Sequence, residues 1–240
     1  MRMADIHTHI LPGMDDGSKT MDESLEMLRR EYSDGVRDLV VTPHYVHKEM
    51  NDKQAVRECL IELKKAMFEE KINVRIYEGN EVMFTSDFLD VLSNKEFCTI
   101  NNSQYALIEF PPTHVKNPVR TLDDAYLAGV TPILAHAERY EQFRDDIKLF
   151  EALVECGIVV QINAQSIIDP DCRKSEKFIH RLIKNGLVHI VASDCHDLEE
   201  RGINLADAYR IVEKKYGLEL AEKLFYINPL KVIKNREIVE

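Results

Sequence analysis

The amino-acid sequence predicts an α/β fold, a (β/α)7 barrel of the TIM type formed as a single domain over residues 1–240. Short runs of strand-forming residues alternate with longer amphipathic stretches of helical period along the whole chain. No linker, repeat or low-complexity tract interrupts this alternation, which favours one domain built on a parallel sheet. At this length a closed barrel is the natural arrangement, although it is one unit short of the usual TIM barrel.

Seven stretches have the length and composition of β-strands: Ala4–His9, Asp38–Pro43, Val74–Val82, Tyr105–Phe110, Thr131–Ala137, Ile158–Ala164 and His189–Ser193. Seven stretches of helical period alternate with them: Met21–Asp34, Lys53–Lys71, Asp87–Leu92, Pro118–Ala128, Asp145–Cys156, Lys174–Asn185 and Leu205–Tyr216. Thr20 and Glu23 have the spacing of a capping box, so the first helix is expected to begin there and to end at Gly35.

Composition excludes several classes of protein. An apolar content of 45% and a charged content of 30% are those of an ordinary globular protein. The net charge of −11 argues against nucleic acid as a partner, because phosphate backbones are bound by clustered Lys and Arg. The five scattered cysteines form no Cys-x-x-Cys pair, which is typical of reduced thiols in the cytosol. With neither a signal-peptide pattern nor an apolar run of roughly 18 residues, we expect a cytoplasmic protein without membrane insertion.

The motif Asp5-Ile6-His7-Thr8-His9 is the first candidate for chemistry. In a strand, Asp5, His7 and His9 would share one face, and two imidazoles on one face can hold one metal ion. A carboxylate beside a ligating imidazole typically fixes its tautomer, and this is the role expected of Asp5. The alternative is a polar strand edge that happens to carry two histidines.

Further metal-binding residue types follow the other predicted strands. They are His44, Glu81, Glu109, His136, Asp194 and His196. Asp16, in the turn after the first strand, can reach the same place. Since the carboxyl ends of parallel barrel strands meet at one face, where barrel enzymes have their active sites, these side chains are expected to converge.

So many ligands are too many for a single Zn²⁺. A set of imidazole and carboxylate ligands without thiolate suits two or three ions of Mn²⁺, Fe or Zn²⁺. Three divalent ions would outweigh the four carboxylates of Asp16, Glu81, Glu109 and Asp194, and the positive cluster would attract an anion. A metal-activated hydroxide could then attack a phosphoryl group, which gives hydrolysis without a covalent enzyme intermediate.

Two arginines support a phosphorylated substrate. Arg139 lies three residues after His136, and Arg201 lies five after His196. A guanidinium matches phosphate oxygens well, although either residue could instead be a solvated loop arginine. Cys195 and Arg201 also have the C-x5-R spacing of thiolate tyrosine phosphatases. Three acidic residues between them would repel phosphate and thiolate, so this match is interpreted as chance.

Seven motifs in order resemble one known family, and they cover nearly the whole chain. They are Asp5-x-His7-x-His9, Asp15-Asp16-Gly17, Thr42-Pro43-His44, Gly79-Asn80-Glu81, Ile108-Glu109-Phe110, His136-Ala137-Glu138-Arg139-Tyr140 and Ser193-Asp194-Cys195-His196. The set resembles the polymerase-and-histidinol-phosphatase (PHP) superfamily. Within it, the set is most similar to the bacterial manganese-dependent protein-tyrosine phosphatases of the CpsB/CapC/YwqE type, associated with capsule and exopolysaccharide loci.

The resemblance implies a three-metal cluster, most simply of manganese, in a distorted barrel. By position, His7, His9, Glu81 and Asp194 would bind one ion; Glu81, Glu109 and His136 a second; Asp16, His44 and His196 the third. Arg139 and Arg201 correspond to the arginines of the family that contact phosphate, and His196 is counted with them as catalytic. The implied substrate is phosphotyrosine on a bacterial tyrosine kinase with a tyrosine-rich tail.

Alternative functions remain open from sequence. The first is a PHP-type phosphatase of a small phosphomonoester such as histidinol phosphate, and the second is a binding module that senses a phosphorylated kinase without turnover. A phenolate, with a reference pKa of about 10, leaves more readily than an alkoxide, which favours an aryl phosphate. Tyr45 and Tyr140 lie near predicted ligands and could stack on a substrate ring or simply pack.

Overall fold

All strand pairings of this protein are parallel in the computed structural model, which describes residues 1–46, 51–94, 96–111 and 115–238. The strands are β1 (Met3–Asp5), β2 (Val36–Val41), β3 (His44–Tyr45), β4 (Arg75–Glu78), β5 (Glu81–Met83), β6 (Tyr105–Glu109), β7 (Thr131–Leu134), β8 (Val159–Asn163) and β9 (Ile190–Ala192). The helices are α1 (Met21–Asp34), α2 (Lys53–Glu69), α3 (Phe88–Asn94), α4 (Pro118–Leu127), α5 (Ile147–Glu155), α6 (Ala164–Ile168), α7 (Arg173–Lys184), α8 (Leu205–Tyr216), α9 (Leu218–Glu222) and α10 (Asn228–Ile233).

The strands form seven successive positions around a barrel, as the sequence predicts. One sheet has the order β1-β2-β4 and the other the order β3-β5-β6-β7-β8-β9. The second predicted strand, Asp38–Pro43, ends early at Val41 in β2, and the short strand β3 that follows it was not predicted; the third predicted strand is broken into β4 and β5. Pro43 cannot donate to a ladder, and the Asn80 side chain donates to the Pro43 carbonyl at 2.9 Å, so both breaks lie side by side. These breaks are the distortion of the barrel.

The barrel closes between its last and first strands through few contacts. The Asp194 N–H donates to the His7 carbonyl, and the His9 N–H donates to the Cys195 carbonyl, both at 2.9 Å. The Asp5 carboxylate accepts from the Ser193 N–H at 3.2 Å. The first strand is therefore shorter than predicted, because β1 ends at Asp5 and His7 and His9 belong to the segment that closes the barrel.

The seven predicted helices are confirmed, with ends that differ by at most two residues. The short helices α6, α9 and α10 were not predicted. Thr20 caps α1, accepting from the Glu23 N–H at 3.2 Å, and Gly35 ends the helix at a φ of 107°. The Glu23 carboxylate accepts from the backbone N–H of Lys19 rather than from that of Thr20, so the second hydrogen bond of the capping box is displaced by one residue.

The alternation of inward and outward side chains along the strands explains why polar side chains gather at one end of the barrel. Apolar side chains fill the interior of the barrel, and α10 covers the amino ends of the strands. On β6, Tyr105 and Leu107 point inward and Glu109 is the next inward residue. On β9 the inward Ile190 and Ala192 are followed by Asp194. The inward row thus changes from apolar to acidic at the carboxyl ends of the strands.

His189, beside the amino end of β9, gives a test of this packing. Its Nδ1 accepts the Val160 N–H at 2.9 Å, and burial, with a contribution from Lys223, lowers its pKa to about 4. Because an unfolded His titrates near 6.5, protonation favours unfolding. The stability contribution is complete above pH 6.5 and is lost as pH falls toward 4, at a cost of about 3 kcal/mol.

The substitution His189→Asn keeps an acceptor near the Nδ1 position but removes the titration. Between pH 7 and pH 4.5, the wild-type chain is expected to lose more free energy of unfolding than His189→Asn. Urea unfolding at a series of pH values measures both curves. Parallel curves would contradict a buried neutral His189.

Candidate active site

All nine predicted metal-binding side chains meet at the carboxyl ends of the strands. They are His7, His9, Asp16, His44, Glu81, Glu109, His136, Asp194 and His196. Most are buried, whereas Asp16 is exposed. A cavity of about 490 Å³ opens over them and has Arg139 and Arg201 in its wall. Residues spread over almost two hundred positions thus form one polar mouth.

The first predicted ligand group is a tight cluster. The Nε2 atoms of His7 and His9 lie 3.2 Å apart. Glu81 Oε2 lies 3.3 Å from the first and 3.4 Å from the second. Asp194 Oδ1 lies 3.2 Å from His7 Nε2 and 3.5 Å from His9 Nε2. Two nitrogens and two carboxylate oxygens therefore surround one point.

The other two groups adjoin it. His136 Nε2 lies 3.0 Å from Glu81 Oε1 and 3.4 Å from Glu109 Oε1. Asp16 Oδ1 lies 3.3 Å from His44 Nε2 and 3.4 Å from His196 Nε2. Glu81 joins the groups, because its Oε2 also lies 3.0 Å from His44 Nδ1.

Strong electrostatic coupling links the cluster. Burial alone would raise the pKa of Glu81 and Asp194, but the surrounding histidines, His7 foremost, hold both below their ordinary values. Burial would lower the pKa of His136, but Glu109 and Glu81 raise it to about 10. For His196, burial and the neighbouring His9 lower the pKa to about 3, which keeps its ring neutral near pH 7.

The residues that orient the first two histidines differ from the prediction. Asp5 was expected to hold a ligating ring, and this is wrong: its carboxylate accepts from the backbone N–H groups of His7 and Ser193. Asp15 Oδ2 instead lies 2.7 Å from His9 Nδ1. The Asp15-Asp16-Gly17 turn was recognised in the sequence, but only its middle residue was assigned to the site.

Gly17 allows that turn to lie against His9. A Cβ built on Gly17 would lie 2.1 Å from the His9 carbonyl oxygen and 2.5 Å from the His9 Cβ. The Gly17 N–H also donates to Asp15 Oδ1 at 2.9 Å. A glycine is therefore required where the turn carrying Asp15 and Asp16 meets the first histidine motif.

Both predicted arginines reach the mouth. Arg139 Nη1 and Arg201 Nη2 lie 3.3 and 3.2 Å from the same oxygen, Asp194 Oδ2. Arg201 Nη1 lies 3.3 Å from Asp16 Oδ2. Both side chains are partly exposed, so several of their N–H groups face the cavity and are available to an anion.

The two tyrosines differ in position. Tyr140 lines the cavity beside Phe110, and its hydroxyl accepts from the Phe110 N–H at 2.9 Å. Its ring centroid lies 5.6 Å from that of His136. Tyr45 is 1% exposed and packs on Phe97, so it is a core residue, and the suggestion that it stacks on a substrate is wrong.

Cys195 points away from the mouth. Its Sγ lies 3.6 Å from Glu31 Oε1, the side chain is fully buried, and burial raises its pKa well above the ordinary value. A thiolate nucleophile needs the opposite conditions. The C-x5-R spacing is therefore coincidental, as predicted.

The substitution Cys195→Ser is accordingly expected to keep most of any hydrolysis of an aryl phosphate by the chain, because the thiol lies outside the cavity. Steady-state hydrolysis of an aryl phosphate measures the effect, with a melting curve to record any loss of stability from the buried hydroxyl. Near-complete loss of activity in a folded variant would show that the thiol takes part.

The donor set fits metal ions. Two imidazole nitrogens 3.2 Å apart with carboxylate oxygens around them call for a cation between them. His196 Nε2 and Glu109 Oε2 are buried and have no hydrogen-bond partner within the described ranges. Nitrogen and oxygen donors without thiolate suit Mn²⁺, Fe²⁺ or Zn²⁺. Three sets of these side chains, divided differently from the predicted groups, bring their donor atoms within 4.8 Å of one another: His9, Asp16, His44 and His196; His7, His9 and Asp194; and His44, Glu81 and Glu109.

A parallel barrel with clustered His, Asp and Glu at the carboxyl ends of its strands is the architecture of metal-dependent barrel hydrolases. Residues 3–234 match the family model for capsular polysaccharide synthesis, CpsB/CapC. The chain belongs to this family, which confirms the resemblance found in the sequence. No helix in the part of the chain that the structure describes has the length and apolarity to span a membrane.

Named relatives agree over almost the full length. The tyrosine-protein phosphatase CpsB of Streptococcus pneumoniae is 35% identical, over 98% of this chain and 100% of that protein. The tyrosine-protein phosphatase YwqE of Bacillus subtilis is 36% identical, over 91% of this chain and 87% of that protein. A solved structure from work on YwqE and CpsB, described as unique metal-dependent tyrosine phosphatases, has a TM-score of 0.91 at 34% identity, covering 98% of this chain and 96% of its own. The predicted fold class is thereby confirmed.

Proposed function

We propose that this chain is a metal-dependent protein-tyrosine phosphatase. The observation that carries the proposal is the mouth, where nine metal-binding side chains lie beside two arginines. Its family supports it, because the relatives named above are tyrosine-protein phosphatases. The net charge of −11 leaves a nucleic-acid substrate disfavoured.

We propose that the cluster holds three ions, with manganese first and iron or zinc as alternatives. His7, His9, Glu81 and Asp194 would hold the first; Glu81, Glu109 and His136 the second; Asp16, His44 and His196 the third. When bound, the ions would supply an activated water and positive charge for the phosphoryl group.

The side chains at the rim would bind and orient the substrate. Arg139 and Arg201 would hold phosphoryl oxygens through the N–H groups that Asp194 does not use. The Asp194 carboxylate would keep the two guanidiniums together through its Oδ2. We count His196 as catalytic as well, because its Nε2 lies at the same rim, 3.4 Å from Asp16 Oδ1.

The cavity also suits an aryl group. The Tyr140 ring forms an aromatic wall next to His136, and the hydrogen bond that its hydroxyl accepts from the Phe110 backbone N–H fixes the ring. The phenolate leaving group makes little demand on a proton donor, since its reference pKa is about 10. A phosphotyrosine side chain therefore fits both the wall and the rim.

The substrate protein in this proposal is a bacterial tyrosine kinase of capsule or exopolysaccharide synthesis, which the family's role supports. We propose a cytoplasmic location, supported by five cysteines that all lie in described residues and are all free. We also propose that residues 1–240 act as a single domain, since the family model spans residues 3–234.

Comparing kcat/KM for a phosphotyrosyl peptide and for histidinol phosphate, both in Mn²⁺, tests the function. The peptide is expected to be the better substrate, activity is expected to disappear on chelation, and Mn²⁺ is expected to restore it. Faster turnover of histidinol phosphate would favour the small-molecule alternative. A fully metal-loaded protein that hydrolyses no aryl phosphate would favour a binding module.

A further inference from the structure

Strand β8 differs from its neighbours at the mouth, because none of its side chains is a metal-binding type. The inward residues near its carboxyl end are Gln161 and Asn163, and both are buried. They lie directly beneath the cluster, although neither was predicted as part of the site. Buried amides are retained where each of their polar atoms has a defined partner.

The hydrogen bonds of Gln161 determine which ring nitrogen of His7 carries a proton. Gln161 Oε1 accepts the backbone N–H of His136 at 2.9 Å, and since that group can only donate, the facing atom must be the oxygen. The same oxygen lies 3.1 Å from His7 Nδ1. His7 must therefore carry a proton on Nδ1, so in the neutral ring the lone pair is on Nε2, which faces the same point as Glu81 Oε2 and Asp194 Oδ1.

The chain of contacts continues to Asp194. Gln161 Nε2 donates to Asn163 Oδ1 at 2.8 Å, so the Asn163 amide nitrogen must face the other way. It donates to Asp194 Oδ2 at 2.8 Å. The Asn163 backbone is held in turn, because its N–H donates to Glu138 Oε1 at 3.1 Å. With Oδ2 occupied, Asp194 presents Oδ1 to His7 and His9.

We propose that Gln161 and Asn163 are positioning residues that set the tautomer of His7 and the orientation of Asp194 for metal binding. This inference rests on the metal site of the proposed function. A neutral amide can accept a hydrogen bond from one ligand and donate one to the next without adding charge to a mouth that already holds five carboxylates. The His7 imidazole and the Asp194 carboxylate would therefore already face the ion with a lone pair before it binds.

The test is the affinity of the full chain for Mn²⁺, measured by competition with a chelator. In Gln161→Leu, His7 Nδ1–H and the His136 N–H both lose their acceptor, and Mn²⁺ is expected to bind about 10- to 100-fold more weakly. Gln161→Glu restores an acceptor for both groups and is expected to recover about tenfold of that loss. Asn163→Ala leaves Asp194 Oδ2 to the two arginines, and a loss of about tenfold is expected.

Asn228→Leu is the matched control. Asn228 is also a buried amide, but it donates to the His189 carbonyl near the amino end of β9, away from the mouth. It is expected to lower the melting temperature without changing Mn²⁺ affinity. The visible spectrum of the Co²⁺-loaded protein gives a second readout, and it is expected to change in Gln161→Leu but not in Asn228→Leu.

Two results would overturn the proposed role of Gln161 and Asn163. The first is that Gln161→Leu is less stable but binds Mn²⁺ with wild-type affinity. The second is that Asn228→Leu loses as much Mn²⁺ affinity as Gln161→Leu. If Gln161→Leu does not fold, wild-type affinity in Asn163→Ala overturns the proposal, because Asn163 is the group that donates to Asp194 Oδ2. The proposed function fails separately, if the wild-type protein binds Mn²⁺ in this pattern and hydrolyses no phosphotyrosyl peptide.

Discussion

Asp194→Ala is expected to lose bound metal and phosphatase activity together, with kcat/KM for an aryl phosphate falling at least about 1,000-fold. Asp194 contacts both the predicted metal ligands and the two arginines at the mouth. Its Oδ1 lies 3.2 Å from His7 Nε2, and its Oδ2 receives Asn163, Arg139 and Arg201. Removing it takes away one donor of the first group and separates the arginines from the cluster.

The variant is dialysed against Mn²⁺, and its metal content is compared with its rate of hydrolysis. Asp207→Ala is a suitable control, because Asp207 is an exposed carboxylate on α8 paired with Arg210 at 2.6 Å. The control is expected to keep full metal content and activity. A folded Asp194→Ala protein with full metal and an unchanged rate would refute the placement of Asp194 in the site.

Arg139→Ala and Arg201→Ala are expected to weaken binding of inorganic phosphate by about 10- to 100-fold each, while the ions remain bound. Hydrogen bonds to charged groups contribute about 1.5–3 kcal/mol, and 1.4 kcal/mol corresponds to a factor of ten. Lysine keeps the charge but not the paired donors, so Arg139→Lys is expected to lie between wild type and alanine.

Inhibition by inorganic phosphate and metal content are measured on each arginine variant. Arg210→Ala is the matched control, because this arginine is exposed and lies on α8. Phosphate inhibition equal to wild type in both Arg139→Ala and Arg201→Ala would show that these arginines do not bind the phosphoryl group. A loss of metal together with phosphate affinity would instead assign the arginines a role in holding Asp194.

Much of the site followed from local pattern. Glu109 and Asp194 could be found because inward side chains recur every second residue, so each continues an apolar row at the end of its strand. Arg139 and Arg201 could be found because they follow His136 and His196 closely. The barrel itself was indicated by seven predicted strands that alternate with seven stretches of helical period.

What the sequence did not reveal depends on contacts between distant residues. Gln161 acts on His7, 154 residues away, and no local pattern distinguishes it from an ordinary strand glutamine. Asp15 holds His9 only because the turn at Gly17 folds back onto the histidine. Asp5 has the expected spacing from His7, but it is used to close the barrel against Ser193. Tyr45, next to His44, faces the core instead of the cavity.

Anomalous scattering from crystals grown with Mn²⁺ shows whether the side chains at the mouth hold metal ions, and how many. Three peaks are expected at the mouth, with the first among His7, His9, Glu81 and Asp194, the second beside His136 and Glu109, and the third beside Asp16, His44 and His196. The absence of any peak within reach of His7 and Asp194, in crystals of protein active with Mn²⁺, would contradict this expectation.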